Sequence, residues 1–189
     1  VTRLIAAGLR AGGLNTFAKT TGSTPRIINN LGNDVELHRL RSASIGEQIK
    51  LIRYFSNYKP DVLVMECMAV NPQYQWISEH KIVKSTIGVI TNVRPDHLDE
   101  MGTTLKDIAL SMSNTIPFNS KVFTSDEKCY DVLNDVAVSR GSVLECPKKN
   151  SFDKKILNQM KFVEHPENID LALKVCDSLG VKQDIALGG

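Results

Sequence analysis

The feature that most constrains the fold is an alternation of short apolar runs with longer helix-like segments along the 189-residue chain. One of them, LVMEC (Leu63–Cys67), is a continuous apolar run with a charged residue near its end, as in a buried strand of a parallel sheet. The predicted strands are Thr16–Lys19, Leu63–Cys67, Thr86–Val93, Lys121–Ser125, Ser142–Glu145 and Lys161–Glu164. Strands that alternate with helices indicate βαβ units. We therefore predict an α/β fold, a doubly wound and mainly parallel sheet flanked by helices.

Several of the predicted helices carry recognisable boundary signals. Candidate capping boxes place an acidic residue three positions after a hydroxyl residue. They are Ser44 with Glu47, which opens a helix toward Tyr54, and Thr104 with Asp107, which precedes a helix over Leu105–Ile116. A further helix begins at Pro166, which suits a first helical turn, and stops at Gly180.

Composition excludes several classes of protein. Apolar and charged fractions of 42% and 23% fit one globular domain with a real core. A net charge of +2 is too small to indicate a nucleic acid or an anionic membrane as partner. No apolar stretch approaches the roughly 20 residues that a membrane helix requires. The cysteines contain no C-x-x-C pair and are predicted to be reduced thiols in or near the core; they are Cys67, Cys129, Cys146 and Cys176.

Polar side chains follow two of the predicted strands. Glu66 ends one strand, and the segment TNVRPDHLDEMG (Thr91–Gly102) follows the end of the next. Ligands of open parallel sheets bind beyond the carboxyl ends of the strands, so both positions fall on the functional edge. An isolated charge at the end of a buried strand is costly, and Glu66 therefore requires a partner, either structural or functional.

His97 lies between Asp96 and Asp99. Such a segment is either a turn with solvated charges or a site in which a carboxylate orients a histidine toward a metal or substrate. Glu66 and His97 together supply two ligands, which suits magnesium with its retained waters better than zinc. The loop TTGSTPR (Thr20–Arg26) either presents amides and hydroxyls to an anion or only turns the chain.

The segments MECMAVNPQYQ (Met65–Gln75), GVITNVRPDHLDEMG (Gly88–Gly102) and TTGSTPR together resemble a known family. They are similar to the ligase subunits of poly-γ-glutamate (capsule) synthases, within the Mur ligase-like group of ATP-dependent amide ligases. The pattern N-x-x-x-D-H-x-D is shared by the wider group, whereas ECMAVNP is typical of the poly-γ-glutamate branch. The resemblance covers nearly the whole chain.

The resemblance implies roles for individual residues. Glu66 and His97 would hold Mg²⁺, and Asp96 would orient His97 in catalysis. Asn168 would contact the nucleotide, ATP, and Asn92 would either contact it as well or shape the loop. The acceptor carboxylate or the phosphates would lie near the hydroxyl-bearing loop, that is near Thr20, Thr21, Gly22 and Ser23. The activity implied is phosphorylation of a terminal carboxylate by ATP and attack of a glutamate amine on the acyl phosphate.

The pattern also departs from the family. The phosphate loop, expected just before the first helix, is missing, and so are the strand before it and a C-terminal domain. We therefore expect residues 1–189 to be part of a P-loop-type central ATPase domain that is inactive alone. Alternatives are another Mur-like amino-acid ligase, a non-catalytic interaction module and, from DHLDE, a histidine–aspartate phosphohydrolase, which would need further histidine ligands.

The resemblance finally implies partners and a location. The substrates would be glutamate and the polyglutamate chain, and the partners would be membrane subunits of a synthase complex, with homo-oligomer formation left open. The active site would be cytoplasmic, at the inner face of the cell membrane through those partners or a missing N-terminal segment.

Overall fold

The computed structural model describes residues 1–39, 44–160 and 163–189 and divides into two compact units. Unit 1 comprises Val1–Ser42, Leu51–Glu66 and Pro147–Gly189, and unit 2 comprises Ala43–Lys50 and Cys67–Cys146. The α-helices are α1 (Thr2–Ala11), α2 (Gly46–Ser56), α3 (Pro72–Ile77), α4 (Leu98–Met101), α5 (Leu105–Met112), α6 (Tyr130–Ser139), α7 (Pro166–Ser178) and α8 (Gln183–Leu187). The strands are β1 (Thr16–Lys19), β2 (Arg26–Ile28), β3 (Asp34–Glu36), β4 (Val62–Met65), β5 (Ile87–Ile90), β6 (Lys121–Thr124) and β7 (Val143–Glu145). A π-helical turn (Ser78–Val83) follows α3, and 3₁₀ turns cover Ser113–Thr115 and Lys154–Gln159.

Unit 1 is built on a sheet of strand order β3-β2-β1-β4. Strands β1 and β4 are parallel, with Phe17 opposite Leu63, whereas β2 and β3 add an antiparallel hairpin. Successive side chains of a strand point to opposite faces. Accordingly, Phe17 packs with residues of α2 on one face, and Ala18 packs with Ala6 of α1 on the other. Every residue of β1 is buried, because helices cover both of its faces.

Unit 2 contains the all-parallel sheet β5-β6-β7. Its core joins residues of these strands to apolar residues of α5 and α6, with Ile108 and Leu133 almost fully buried. Strand β5 alternates half-buried and buried positions, as a strand with unequal coverage of its two faces does. Parallel strands joined through helices in this way agree with the fold class predicted from sequence.

The predicted strands agree with the structure within about three residues, with two differences, whereas helices α3, α6 and α8 were not predicted. The β2–β3 hairpin was not predicted, because three-residue strands are too short for a period-2 pattern to show. The predicted strand Lys161–Glu164 includes residues 161 and 162, which lie outside the described residues. Its described half is irregular, and Val163 is 96% exposed, so it has no sheet neighbour to pack against.

The helix boundaries follow their predicted signals closely. Thr104 and Asp107 form the complete capping box at α5. The helix ends at Met112, and a 3₁₀ turn continues it toward Ile116. At α2 the Ser44 hydroxyl instead accepts a hydrogen bond from the Gly46 amide at 3.3 Å. Helix α7 begins with Pro166, as predicted.

The cysteine prediction is only half right. Cys129 and Cys176 are buried, and burial raises the pKa of the Cys176 thiol to about 11. Cys67 and Cys146 are exposed, so their assignment to the core was wrong. Both follow the last residues of strands at the carboxyl ends, where side chains leave the sheet. Within the described ranges, no helix is long and apolar enough to cross a membrane.

Candidate functional site

In unit 1 the carboxyl ends of β1 and β4 bring Glu66 to the hydroxyl-bearing loop. The two strands are parallel and in register up to Lys19 and Met65, and the Glu66 amide then donates to the Lys19 carbonyl at 3.0 Å. The Thr21 amide donates to the Glu66 carboxylate at 2.9 Å. Glu66 is exposed, so the expectation that burial forces it to find a partner was wrong. Its partner is nevertheless a backbone amide of the predicted substrate loop.

The hydroxyl-bearing loop is anchored at both ends. Thr20 exchanges two contacts with Arg26: its amide donates to the Arg26 carbonyl at 2.9 Å, and its hydroxyl accepts from the Arg26 amide at 3.2 Å. The loop turns at Gly22, whose φ of +95° few other residues tolerate. Gly22 and Ser23 are exposed at the tip. Thr20 is therefore a loop anchor, whereas Gly22 and Ser23 are open to solvent, and the substrate-binding role of Thr20 to Ser23 stays a prediction.

In unit 2 the segment after β5 is held by two residues that sequence reasoning missed. The Asp126 carboxylate is buried and accepts hydrogen bonds from the Val93 amide and the Cys129 amide, each at 2.7 Å. The Ser125 hydroxyl donates to the Thr91 carbonyl. These bonds fix the backbone on both sides of Asn92. The only sequence signal for them is a hydroxyl–aspartate pair directly after the neighbouring strand β6.

His97 has an unusual backbone conformation. Its φ of +46° and ψ of +48° are left-handed, which is uncommon for a residue other than glycine. Its amide donates to the Asp96 carboxylate at 2.9 Å, and its carbonyl accepts from Glu100 and Met101 amides of α4. Backbone outliers of this kind concentrate at functional sites. The conformation projects a ring that is half exposed, with 51% of the side chain accessible.

Asp96 contacts His97, but not as the predicted ring hydrogen bond. The carboxylate oxygen lies 3.7 Å from Nε2 of His97, which is too long for a hydrogen bond and is an ion-pair distance when the ring is protonated. Asp96 therefore contacts the His97 backbone amide, and its role in orienting the ring stays a prediction. Asp99 lies exposed in the first turn of α4.

Asn71, from the motif that resembles the poly-γ-glutamate branch, supports the same helix. Its side-chain oxygen caps α3 by accepting from the Gln73 amide at 3.0 Å. Its side-chain nitrogen donates to the Glu100 carboxylate of α4 at 2.9 Å. A single asparagine thus joins two helices of unit 2. Asparagine before proline is a recognisable helix-start signal, but the contact with Glu100 was not predicted.

Asn168 lies in the first turn of α7 in unit 1. Its side-chain nitrogen donates to the Glu164 carboxylate at 2.7 Å, and the same carboxylate oxygen accepts from the His165 amide at 2.9 Å. The amide group is thereby held with its oxygen available as an acceptor, which suits an exocyclic amine of a purine. The nucleotide-binding roles of Asn168 and Asn92 stay predictions.

The predicted metal ligands are Glu66 and His97. Within the parts of the chain that the structure describes, no group of three or more histidine, cysteine, aspartate and glutamate side chains is placed to hold a metal. Magnesium needs fewer protein ligands, because it keeps several waters and takes phosphate oxygens. The exposed Glu66 carboxylate and the half-exposed His97 ring fit that requirement chemically. The metal-binding role of the two side chains stays a prediction.

Comparison with known proteins places the chain in a family. Residues 1–175 match the model of the Mur ligase middle domain. The chain is 32% identical over 191 aligned positions to the capsule biosynthesis protein CapB of Bacillus anthracis, covering all of this chain and 41% of that protein. It is 33% identical to the PGA synthase CapB of Bacillus subtilis, covering all of this chain and 49% of that protein. The chain thus spans less than half the length of the curated relatives it matches.

Solved structures agree on the fold. Escherichia coli FolC in complex with DHPP and ADP has a TM-score of 0.67 at 14% identity, covering 98% of this chain and 52% of that one. An FPGS–AMPPCP complex has a TM-score of 0.66 at 15% identity, covering 98% of this chain and 58% of that one. A bifunctional folylpolyglutamate synthase/dihydrofolate synthase with Mn, AMPPNP and L-glutamate bound has a TM-score of 0.64 at 17% identity, covering 98% and 53% of the two chains. At these identities the likeness shows the fold alone.

Proposed function

Because this chain belongs to the Mur ligase middle-domain family, we propose that it is the ATP-binding part of an ATP-dependent amide ligase that makes poly-γ-glutamate. The observation that carries the substrate assignment is the identity of 32% and 33%, over the whole chain, to two CapB proteins of capsule and PGA synthesis. The motif ECMAVNP adds support, since its Asn71 joins α3 to the helix that follows His97.

The proposed reaction activates the terminal carboxylate of the growing chain. That carboxylate attacks the γ-phosphorus of ATP, and ADP leaves. The amine of glutamate then attacks the acyl carbon, phosphate leaves, and an amide bond forms. No covalent intermediate on the protein is required. Both steps move charge over phosphoryl oxygens, so they depend on positioning and electrostatic stabilisation.

The predicted site residues take different roles in this proposal. Glu66 and His97 would hold a divalent cation, Mg²⁺, which supplies Lewis-acid stabilisation of the phosphoryl oxygens when bound. Asp96 positions His97 through the backbone amide. Gly22 and Ser23 would present backbone amides to the acceptor carboxylate, and Thr21 and Ser23 would present hydroxyls, while the Thr21 amide fastens the loop to Glu66.

Asn92 and Asn168 would contact the nucleotide. The support for Asn92 is its fixed backbone, held between the bonds made by Ser125 and Asp126. The support for Asn168 is its amide, which Glu164 orients at 2.7 Å. We further propose that synthesis occurs on the cytoplasmic side of the membrane with membrane subunits as partners, in keeping with the capsule role of the CapB relative.

The test is phosphate release from ATP by the natural gene product that contains this chain, with Mg²⁺, glutamate and a polyglutamate acceptor. His97→Ala and Glu66→Gln are each expected to lower the rate by about a hundredfold or more, the usual cost of removing one electrostatic group from a phosphoryl-transfer site. His38→Ala is the matched control, because His38 is 82% exposed and paired only loosely with Glu36 at 3.6 Å.

The outcome separates the proposals. Loss of activity in both site variants, with the His38→Ala protein unchanged, supports the ligase with its metal site. Full activity of His97→Ala would make the DHLDE segment a simple turn and would refute the metal role. Activity that requires ATP but accepts a different carboxylate would assign the chain to another Mur-like ligase.

A further inference from the structure

The left-handed backbone of His97 depends on the short helix that follows it. The His97 carbonyl accepts from the Glu100 amide at 3.0 Å and from the Met101 amide at 2.9 Å, and both bonds exist only while α4 is formed. The His97 side chain makes no capping bond to α4, so capping does not occupy the ring. A left-handed conformation is unfavourable for a residue other than glycine, and it persists only where the surrounding structure holds it.

Helix α4 is too short to be stable by itself. It has four residues, far fewer than the roughly 12 at which an isolated helix becomes even marginally stable in water. Leu98, Asp99 and Glu100 are exposed, and Met101 is half-buried. Met101 packs against the apolar core of unit 2. Packing of one half-buried side chain contributes little, so α4 needs a further attachment.

Asn71 supplies that attachment through Glu100. Its side-chain nitrogen donates to the Glu100 carboxylate at 2.9 Å, and its side-chain oxygen accepts from the Gln73 amide at 3.0 Å. Because only the oxygen can accept from that backbone amide, the nitrogen is the atom that faces Glu100. The side-chain amide of Asn71 is thus used at both ends, once for α3 and once for α4.

The start of α3 is itself held in place. Pro72 occupies the first helical position, where its fixed φ suits a helix. The side-chain nitrogen of the buried Gln75 donates to the Val70 carbonyl at 3.0 Å, and its side-chain oxygen accepts from the Ser111 hydroxyl of α5 at 3.3 Å. The segment on either side of Asn71 is thereby bonded to α5, which makes Asn71 a fixed point for the exposed helix α4.

We propose that Asn71 is a positioning residue for His97: by holding Glu100 it keeps α4 formed, and α4 keeps the His97 backbone left-handed. The use of the positioned ring, binding of a divalent cation, rests on the proposed function. The apparent affinity for a ligand falls in proportion to the fraction of the protein that has the competent conformation. Loss of the Asn71 contact is therefore expected to raise the Mg²⁺ concentration that the reaction needs.

The first test uses Asn71→Asp, which keeps nearly the same shape. An aspartate still caps α3, but it has no N–H for Glu100 and places a second carboxylate against it. The readout is amide hydrogen exchange of the natural gene product, measured by mass spectrometry over peptides that contain Glu100 and Met101. We expect about tenfold faster exchange there, the scale of one lost hydrogen bond to a charged group. Asn119→Asp is the matched control, because it makes the same chemical change at an exposed asparagine of unit 2.

A double variant separates the contact from a general loss of folding. In Asn71→Asp with Glu100→Gln, the glutamine amide donates to the aspartate, so the bond is restored in the opposite direction at the net charge of the parent. Exchange is expected to return to within about threefold of the parent, and Glu100→Gln alone, which keeps an acceptor for Asn71, should behave in the same way. Fast exchange in a double variant that unfolds at the parent's temperature would overturn the attachment through Glu100.

The second readout is phosphate release from ATP as a function of Mg²⁺ concentration. Asn71→Asp is expected to raise the Mg²⁺ concentration at half-maximal rate by about threefold or more, with a maximal rate near that of the parent, because a short exposed helix is of low local stability. The added carboxylate by itself would attract the cation and lower that concentration. A rise therefore reports a change of position and not of charge.

The two readouts separate this inference from the proposed function. Unchanged exchange around Glu100 in Asn71→Asp would overturn the attachment, and faster exchange with an unchanged Mg²⁺ requirement would overturn the positioning role. If the parent protein releases no phosphate but exchange around α4 depends on Asn71, the ligase function is refuted, while the hold of Asn71 on the His97 segment is supported.

Discussion

Replacing Asp126 with alanine tests whether the candidate site of unit 2 depends on a buried carboxylate far away in sequence. Asp126 is 7% exposed and accepts from the Val93 and Cys129 amides, each at 2.7 Å. Hydrogen bonds to charged groups contribute roughly 1.5 to 3 kcal/mol each, and their loss leaves two donors unpaired. We expect the local opening free energy around Val93 to fall by about 3 kcal/mol, which corresponds to roughly a hundredfold faster exchange.

The assay is amide hydrogen exchange of the natural gene product, read by mass spectrometry over the peptides that contain Val93 and Cys129. Asp126→Asn keeps one acceptor oxygen and should give an intermediate acceleration. Asp135→Ala is the control, because Asp135 is exposed on α6 in the same unit. The reasoning is refuted if exchange at Val93 in the Asp126→Ala protein stays within threefold of the parent.

Two further predictions concern unit 2. Gly102→Ala should destabilise the protein by about 2 kcal/mol or more, since φ is +108° and the new Cβ would lie 2.4 Å from Asp107 Cβ. Gly13→Ala is the control, because Gly13 also has a positive φ, +85°, but open space around it. It therefore measures the cost of the backbone conformation without a steric clash. If the two variants lose the same melting temperature, the predicted clash with Asp107 is contradicted. Burial, followed by the charge of Arg140, lowers the pKa of His80. The folded protein then binds fewer protons than the unfolded chain, so the stability is complete above about pH 6.5 and is lost as the pH falls through the folded pKa. His80→Gln should therefore show a smaller fall in melting temperature from pH 7 to pH 5 than the parent protein. An unchanged fall would show that His80 is not the source of this pH dependence.

The fold was largely predictable because a parallel strand that is buried on both faces has a continuous apolar run in its sequence. Apolar runs and capping residues identify elements such as β5 and α5 within a few positions, since each signal is contained in fewer than a dozen residues. The β2–β3 hairpin has no such signal in its sequence, because a polar edge strand of three residues resembles a loop. The exposure of Cys67 was missed for a related reason: periodicity does not show where a strand stops and its side chains leave the core.

For the candidate site, the order of strands along the chain predicts only which strand ends meet at one edge of the sheet. That Glu66 and the hydroxyl-bearing loop meet follows from two parallel strands ending at one edge, and the contact between Thr21 and Glu66 agrees with it. By contrast, Asp126 and Val93 are 33 residues apart, and the left-handed backbone of His97 is set by α4 and Asp96 together. Such contacts depend on the register between neighbouring strands, which no local pattern encodes. A motif can thus predict which residues carry chemistry, whereas the residues that hold the backbone around them, such as Asp126, must be found in the structure.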